Sequence, residues 1–188
     1  MVLNRVVAIA YLAIFLAPSL LAFAYHDDAE AQAITQTYDV CFTTGGGTVN
    51  GGDCAGRVVE EIDSAETSID IFAYELTESR IAEALIRAQR RNVAVRVIAN
   101  ANTIATRASL LPALIQNDVP VYLDGVPGLE HNKSAIIDTK IVLTGSLNWT
   151  KAANERNAEN LLIVHDTWLA AEYEANFLQR LADSEPWR

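Results

Sequence analysis

The sequence predicts an α/β fold, and three features carry that expectation. From about residue 55 onward, short apolar runs with the two-residue period of strands alternate with longer runs whose apolar positions recur at helical spacing. The 188 residues, 51% of them hydrophobic, suffice for one compact domain with a substantial core but not for two. Neither an internal repeat nor a low-complexity linker interrupts the pattern.

At the N-terminus Arg5 precedes the apolar run VVAIAYLAIFLAPSLLAFA, and Ala22-Phe23-Ala24 has the small-x-small pattern of a cleavage site. Residues 1–24 therefore read as an export signal, and residues 25–188 as one mature domain, periplasmic or secreted. The run is about long enough to span a bilayer, so an uncleaved membrane anchor is the alternative. Pro18 and the Ala-x-Ala ending favour cleavage.

Cys41 and Cys54, the only two cysteines, bracket the Gly-rich and otherwise weakly structured loop CFTTGGGTVNGGDC. An oxidising compartment lets them pair; two free thiols are the alternative. Closing a loop of this size would contribute about 3 kcal/mol by restricting the unfolded chain. With no third or fourth ligand nearby, the pair makes a poor zinc site.

AGRVVEEIDSAE then sets Val58, Val59, Ile62 and Ala65 on one helical face, and TSIDIFAYEL alternates, with Ile69, Ile71 and Ala73 on one face of a strand. The helix ESRIAEALIRAQRR, the strand NVAVRVIAN, a helix over ATRASLLPALIQN and the short strand VPVYL follow. Pro112 belongs to the first turn of a shorter helix or kinks a longer one. After the Gly- and Pro-containing DGVPGLE, the runs KSAIID and KIVLTGS meet at Asp138-Thr139 and suggest a hairpin. ENLLIVHD is a further strand and TWLAAEYEANFLQRLADS a closing amphipathic helix. Its stripe of Trp168, Leu169, Tyr173, Phe177, Leu178 and Leu181 suits core packing, a membrane contact being the alternative.

A formal charge of −10 argues against a phosphate-rich partner, but the charge is unevenly placed. From Tyr25 to Leu76 there are eleven acidic side chains and one basic; from Thr77 onward there are thirteen acidic and twelve basic. Arg80, Arg87, Arg90, Arg91 and Arg96 fall in one helix-strand stretch and read first as a solvated face. Arg107, Lys133, Lys140, Lys151 and Arg156 lie further along.

The chemistry concentrates in LEHNKSAIIDTKIVLTGSLNWTKAANERNAEN, residues 129–160. Strand parity points His131 and Lys133 the same way and Asp138 to the opposite face, where it braces the hairpin. Ser146 and Asn148 share a parity just after a strand end at Gly145, where short polar side chains and backbone N–H groups can donate to an anion. Glu159 opens the next apolar strand, where a carboxylate needs a partner. An imidazole N–H is an apt one, which would make Glu159 the group that orients His131.

His131-Asn132-Lys133, four residues and Asp138, followed by Gly145-Ser146-Leu147-Asn148, resembles the phospholipase D superfamily, whose hallmark is H-x-K-x4-D followed by G-S/G-x-N. The similarity is greatest to its small, single-motif bacterial endonucleases and extends upstream to CFTTGGG…DC and IDSAETSIDIFAYELT. Two departures are Arg90-Arg91-Asn92, where related proteins usually have a glycine, and the non-acidic IANANTIA.

The resemblance implies a mixed, largely parallel β-sheet flanked by helices on both faces. It also implies phosphodiester cleavage through a covalent phosphohistidine on His131, with Lys133, Ser146 and Asn148 holding the phosphate and Asp138 structural. A second histidine must protonate the leaving oxygen and then activate water. His26 and His165 lack the H-x-K context, so the expectation is a homodimer in which two copies of His131 share one site. No cofactor and no metal are expected, lysine doing the charge neutralisation. The expected substrate is nucleic acid, with phosphatidyl lipids such as phosphatidylcholine or cardiolipin as the alternative, and a catalytically silent phosphate-binding dimer as a third reading.

Overall fold

Eight strands form one sheet in the order β1-β7-β6-β5-β2-β3-β4-β8 in the computed structural model, which describes residues 37–44, 52–104, 106–125 and 127–188. The strands are β1 (Thr37–Thr44), β2 (Ser68–Ala73), β3 (Ala94–Ala99), β4 (Val121–Leu123), β5 (Lys133–Ile137), β6 (Ile141–Gly145), β7 (Ala158–His165) and β8 (Glu185–Trp187). Between them lie the helices α1 (Cys54–Ser64), α2 (Ser79–Arg90), α3 (Leu111–Ile115), α4 (Lys151–Glu155) and α5 (Thr167–Ala182). The export-signal reading of residues 1–24 lies outside the described residues. Among the described residues, no helix is long and apolar enough to cross a membrane.

The sheet is mixed, with a smaller parallel part than expected. Only β2–β3 and β3–β4 pair in parallel, joined by the crossovers through α2 and α3. The other five pairings are antiparallel. β5 enters antiparallel to β2, the hairpin at Asp138-Thr139 sets β6 antiparallel to β5, and β7 returns antiparallel to β6. Asp138 and Thr139 both have positive φ (54° and 51°), and with Lys140, whose N–H donates to Ile137 O at 3.0 Å, they make the turn between the paired Ile137 and Ile141.

Helices cover both faces. On one, Ile69, Ile71 and Ala73 of β2 pack with Val58 and Ile62 of α1, Ile81 and Leu85 of α2 and Leu114 of α3. On the other, Phe72, Ile98, Ile136 and Val142 meet Ala170 and Phe177 of α5, with the Phe72 and Phe177 rings edge-to-face at 5.0 Å. The stripe on the last helix thus serves the core at Phe177, with Leu169, Tyr173 and Leu181 packed beside it, while Trp168 and Leu178 stay exposed.

Three short elements were not expected from the sequence. β1 runs through the start of the supposed loop, with Tyr38, Val40 and Phe42 outward and Cys41 and Thr43 inward. α4 and β8 are five and three residues long, too short to display a period. The expected helix over 105–117 contracts to Leu111–Ile115, and Pro112 occupies its first turn.

Cys41 and Cys54 form a disulfide, with Cα atoms 5.6 Å apart, that fastens β1 to the start of α1. Asp53 caps that helix by accepting from Gly56 N and also binds Arg80 and Asn154. The arginines of the helix-strand stretch pair within the chain, with Arg87, Arg90 and Arg91 on the exposed surface as expected and Arg80 and Arg96 half-buried. Arg80 pairs with Asp53 and Glu78, Arg87 with Asp63, and Arg96 with Asp70 and Glu174. Arg90 binds Asn117, and Arg91 caps the carbonyls of Ile62 and Ala65.

Candidate active site

The C-terminal ends of the parallel strands are where an α/β sheet exposes ligand sites. Here β2 ends at Ala73, opposite Lys133 at the start of β5; β6 ends at Gly145, opposite Leu161 of β7. Lys133 is two residues before Ala135 and Glu159 two before Leu161, both in the core beneath the α1–α4 face. Strand parity therefore projects Lys133 and Glu159 from that one face.

His131 is exposed, just before β5. Its ring stands edge-on against Tyr74, centroids 4.5 Å apart, and among the described residues nothing hydrogen-bonds its ring nitrogens. The Lys133 ammonium lies 4.8 Å from the centre of the same Tyr74 ring and donates to the His131 carbonyl at 2.5 Å. Burial holds the Lys133 ammonium below the ordinary lysine range, opposed by the negative charges of Glu130, Glu159 and Glu75. Tyr74 thus touches both groups of the motif, yet in FAYELT it read only as a strand residue.

Gly145 allows the next part of the site. Its φ is +154°, and a Cβ there would meet the Asn160 carbonyl oxygen at 2.3 Å, so only glycine lets β6 turn this close to β7. The turn presents Ser146, whose hydroxyl donates to Glu159 Oε2 at 2.5 Å and accepts from Asn160 N at 3.1 Å. Asn157 donates to the other Glu159 oxygen at 2.9 Å. The Glu159 carboxylate is thus engaged by Ser146 and Asn157; among the described residues it makes no bond to His131.

Among the described residues, Asn148 Oδ1 is buried without a partner. The loop is anchored by Trp149, fully buried, whose indole donates to Phe72 O at 2.8 Å and whose carbonyl accepts from Thr77 N and Glu78 N. That anchor ties the Ser146–Asn148 turn to the end of β2, where Tyr74 stands.

Asp138 sits at the other end of β5. Its carboxylate accepts from Glu66 N, Thr67 N, Thr67 Oγ1 and Ser68 N, at 2.7 to 2.9 Å. Partial burial pushes the carboxyl up, but these four donors outweigh it and hold Asp138 below the usual carboxylate range. Seven extended residues from His131 put it about 20 Å away. Among the described residues no cluster of three or more His, Cys, Asp or Glu could hold a metal ion.

Residues 58–181 match the family model described as Cardiolipin synthase, PLD-like domain. The chain is 42% identical over 144 residues to a phospholipase D of Rickettsia conorii, covering 77% of this chain and 69% of that one. It is 32% identical over 133 residues to the mitochondrial cardiolipin hydrolase of Homo sapiens, covering 71% of this chain and 51% of that one. Among solved structures it is similar to Nuc from Salmonella typhimurium, a phospholipase D family member (TM-score 0.73, 29% identity, 81% of this chain and 98% of that one). It is also similar to NucT from Helicobacter pylori (TM-score 0.71, 26% identity, 80% and 100%).

Proposed function

Since this chain belongs to the phospholipase D-like family and is a phosphodiester hydrolase, we propose that it is a metal-independent endonuclease. Its intermediate is a covalent phosphohistidine on His131. The observation that supports this most is an imidazole with no hydrogen bond to its ring among the described residues, beside a cationic Lys133, with Ser146 and Asn148 on the adjoining strand end.

A ring nitrogen of His131 attacks phosphorus, and the bond from phosphorus to the leaving oxygen breaks. Lys133, Ser146 Oγ and the Asn148 amide take up the charge that develops on the non-bridging oxygens. A phosphate accepting from Ser146 frees Glu159, whose carboxylate then holds the imidazole N–H and orients His131. The leaving oxygen takes its proton from His131 of a second copy across a shared site. That imidazole next removes a proton from water, which attacks phosphorus and breaks the P–N bond. A homodimer follows, and a protein that is monomeric by light scattering yet fully active contradicts it.

Nucleic acid is favoured by Arg107 and Arg156, which stand on loops at the His131 end of the sheet and pair with no carboxylate among the described residues. Phospholipid is the second reading, favoured by the outward row of Tyr38, Val40 and Phe42 on β1, which suits a lipid interface. The test is a side-by-side assay, with chelator, on plasmid DNA, RNA, and phosphatidylcholine or cardiolipin vesicles. A nuclease cleaves DNA or RNA and loses activity steeply with salt; vesicle turnover without DNA or RNA cleavage selects the second reading. His131→Ala abolishes either activity. A strict requirement for added magnesium contradicts the metal-independent mechanism.

A further inference from the structure

The residue before the motif histidine is buried and charged. Glu130 is 1% exposed, although it ends a loop containing Gly125, Pro127 and Gly128. A carboxylate removed from water needs partners. One oxygen of Glu130 accepts from both Asn132 N (2.9 Å) and Asn132 Nδ2 (2.8 Å). The other faces Arg180 Nη2 at 3.4 Å, and that guanidinium also meets Asp124, 3% exposed, at 2.7 Å. Two buried carboxylates thus share one arginine, which comes from α5 on the opposite face of the sheet.

Asn132 is the residue between His131 and Lys133. Gripping both its backbone and its side chain fixes the extended conformation that puts the two on one face. We propose that Glu130 is a positioning residue for the reaction, clamping Asn132 so that His131 and Lys133 stay aligned and keeping a negative charge near the Lys133 ammonium. The inference rests on the phosphohistidine reading, since it assigns Glu130 no contact with substrate. Arg180 and Asp124 complete the clamp, so α5 bears on the geometry of a site it does not touch. The charged groups acting on Lys133 are Glu130, Glu159 and Glu75; those facing Glu130 are Arg180 and, through it, Asp124.

The test measures kcat, KM and the pH–rate profile on a small phosphodiester, bis-p-nitrophenyl phosphate, with folding followed by circular dichroism. Glu130→Gln keeps an acceptor for Asn132 but loses the charge. It is expected to move the alkaline limb of the profile to lower pH and to lower kcat about tenfold, with KM changed less than about twofold. Asn132→Asp sets a second carboxylate against Glu130 from an exposed position, and the folded variant is expected to have kcat lowered about 10- to 100-fold. A wild-type kcat in Asn132→Asp overturns the clamp. An unmoved alkaline limb in folded Glu130→Gln overturns the charge effect, and if Glu130→Gln does not fold, Asn132→Asp alone decides the clamp. An active His131→Ala instead sinks the phosphohistidine reading itself, whatever Glu130 does.

Discussion

Replacing Asp138 by alanine separates the architecture of the motif from its chemistry. Asp138→Ala removes the acceptor of four hydrogen bonds and leaves Glu66 N, Thr67 N and Ser68 N to water or to nothing. Hydrogen bonds to charged groups contribute about 1.5–3 kcal/mol each where buried, and less at this half-exposed turn, so about 2–3 kcal/mol is the joint loss. Alanine at a φ of 54° adds about 1 kcal/mol of strain that an aspartate tolerates better. The total, about 3–4 kcal/mol, corresponds to a fall of roughly 10 °C in Tm for a domain of this size. Asp138→Asn keeps one acceptor and the left-handed tolerance, and should lose about half as much. Thermal melts and initial rates at 20 °C on the same folded samples check this. The expected result is a large loss of Tm with kcat within about threefold of wild type. An unchanged Tm with kcat reduced a hundredfold would refute the reasoning and put Asp138 in the chemistry.

Reducing the Cys41–Cys54 disulfide, or making Cys54→Ser, should cost about 3 kcal/mol, seen as a drop in Tm when melts with and without reductant are compared. Burial, the hydrogen bond and charge of Asp70, opposed by Arg96, raise the Glu174 carboxyl to about 7. A carboxyl that binds its proton more tightly when folded contributes stability that is full below its unfolded value and lost as pH rises through about 7. Wild-type Tm should therefore fall between about pH 5 and 8 relative to Glu174→Gln, whose neutral amide removes that slope. Activity should decline at alkaline pH as Lys133 loses its proton, at a lower pH than free lysine because burial depresses it. A pH–rate profile flat to the ordinary lysine range would contradict the role of that ammonium. Glu159→Gln should lower kcat about 10- to 100-fold through the loss of an oriented imidazole, read by steady-state kinetics.

Much of this was legible because the residues concerned obey periods. Ile69, Ile71 and Ala73 alternate, Val58 and Ile62 fall one turn apart, and Asp138-Thr139 sits between two apolar runs, so β2, α1 and the hairpin could be placed from sequence. The edge strand β1 could not, because its larger apolar residues Tyr38, Val40 and Phe42 face outward while a cysteine and a threonine face in. The hairpin was foreseen, but the antiparallel placing of β5 against β2 was not, since that pairing depends on long-range contacts. The motif located His131, Lys133, Ser146 and Asn148 by spacing. Glu130 escaped notice because its burial depends on Arg180, fifty residues on, and a carboxylate beside Gly and Pro reads as solvated. The pairing of Arg87 and Arg96 was hidden for the same reason, their partners Asp63 and Asp70 lying in other elements.

The central claim is that His131 carries the phosphoryl group. Wild-type protein mixed with excess phosphodiester, quenched within one turnover in alkali and digested, should show by mass spectrometry a peptide containing His131 that bears the transferred phosphoryl group. The modification should be alkali-stable and acid-labile, and absent from His131→Ala. Turnover with no adduct, or an adduct on a residue other than His131, would contradict the account.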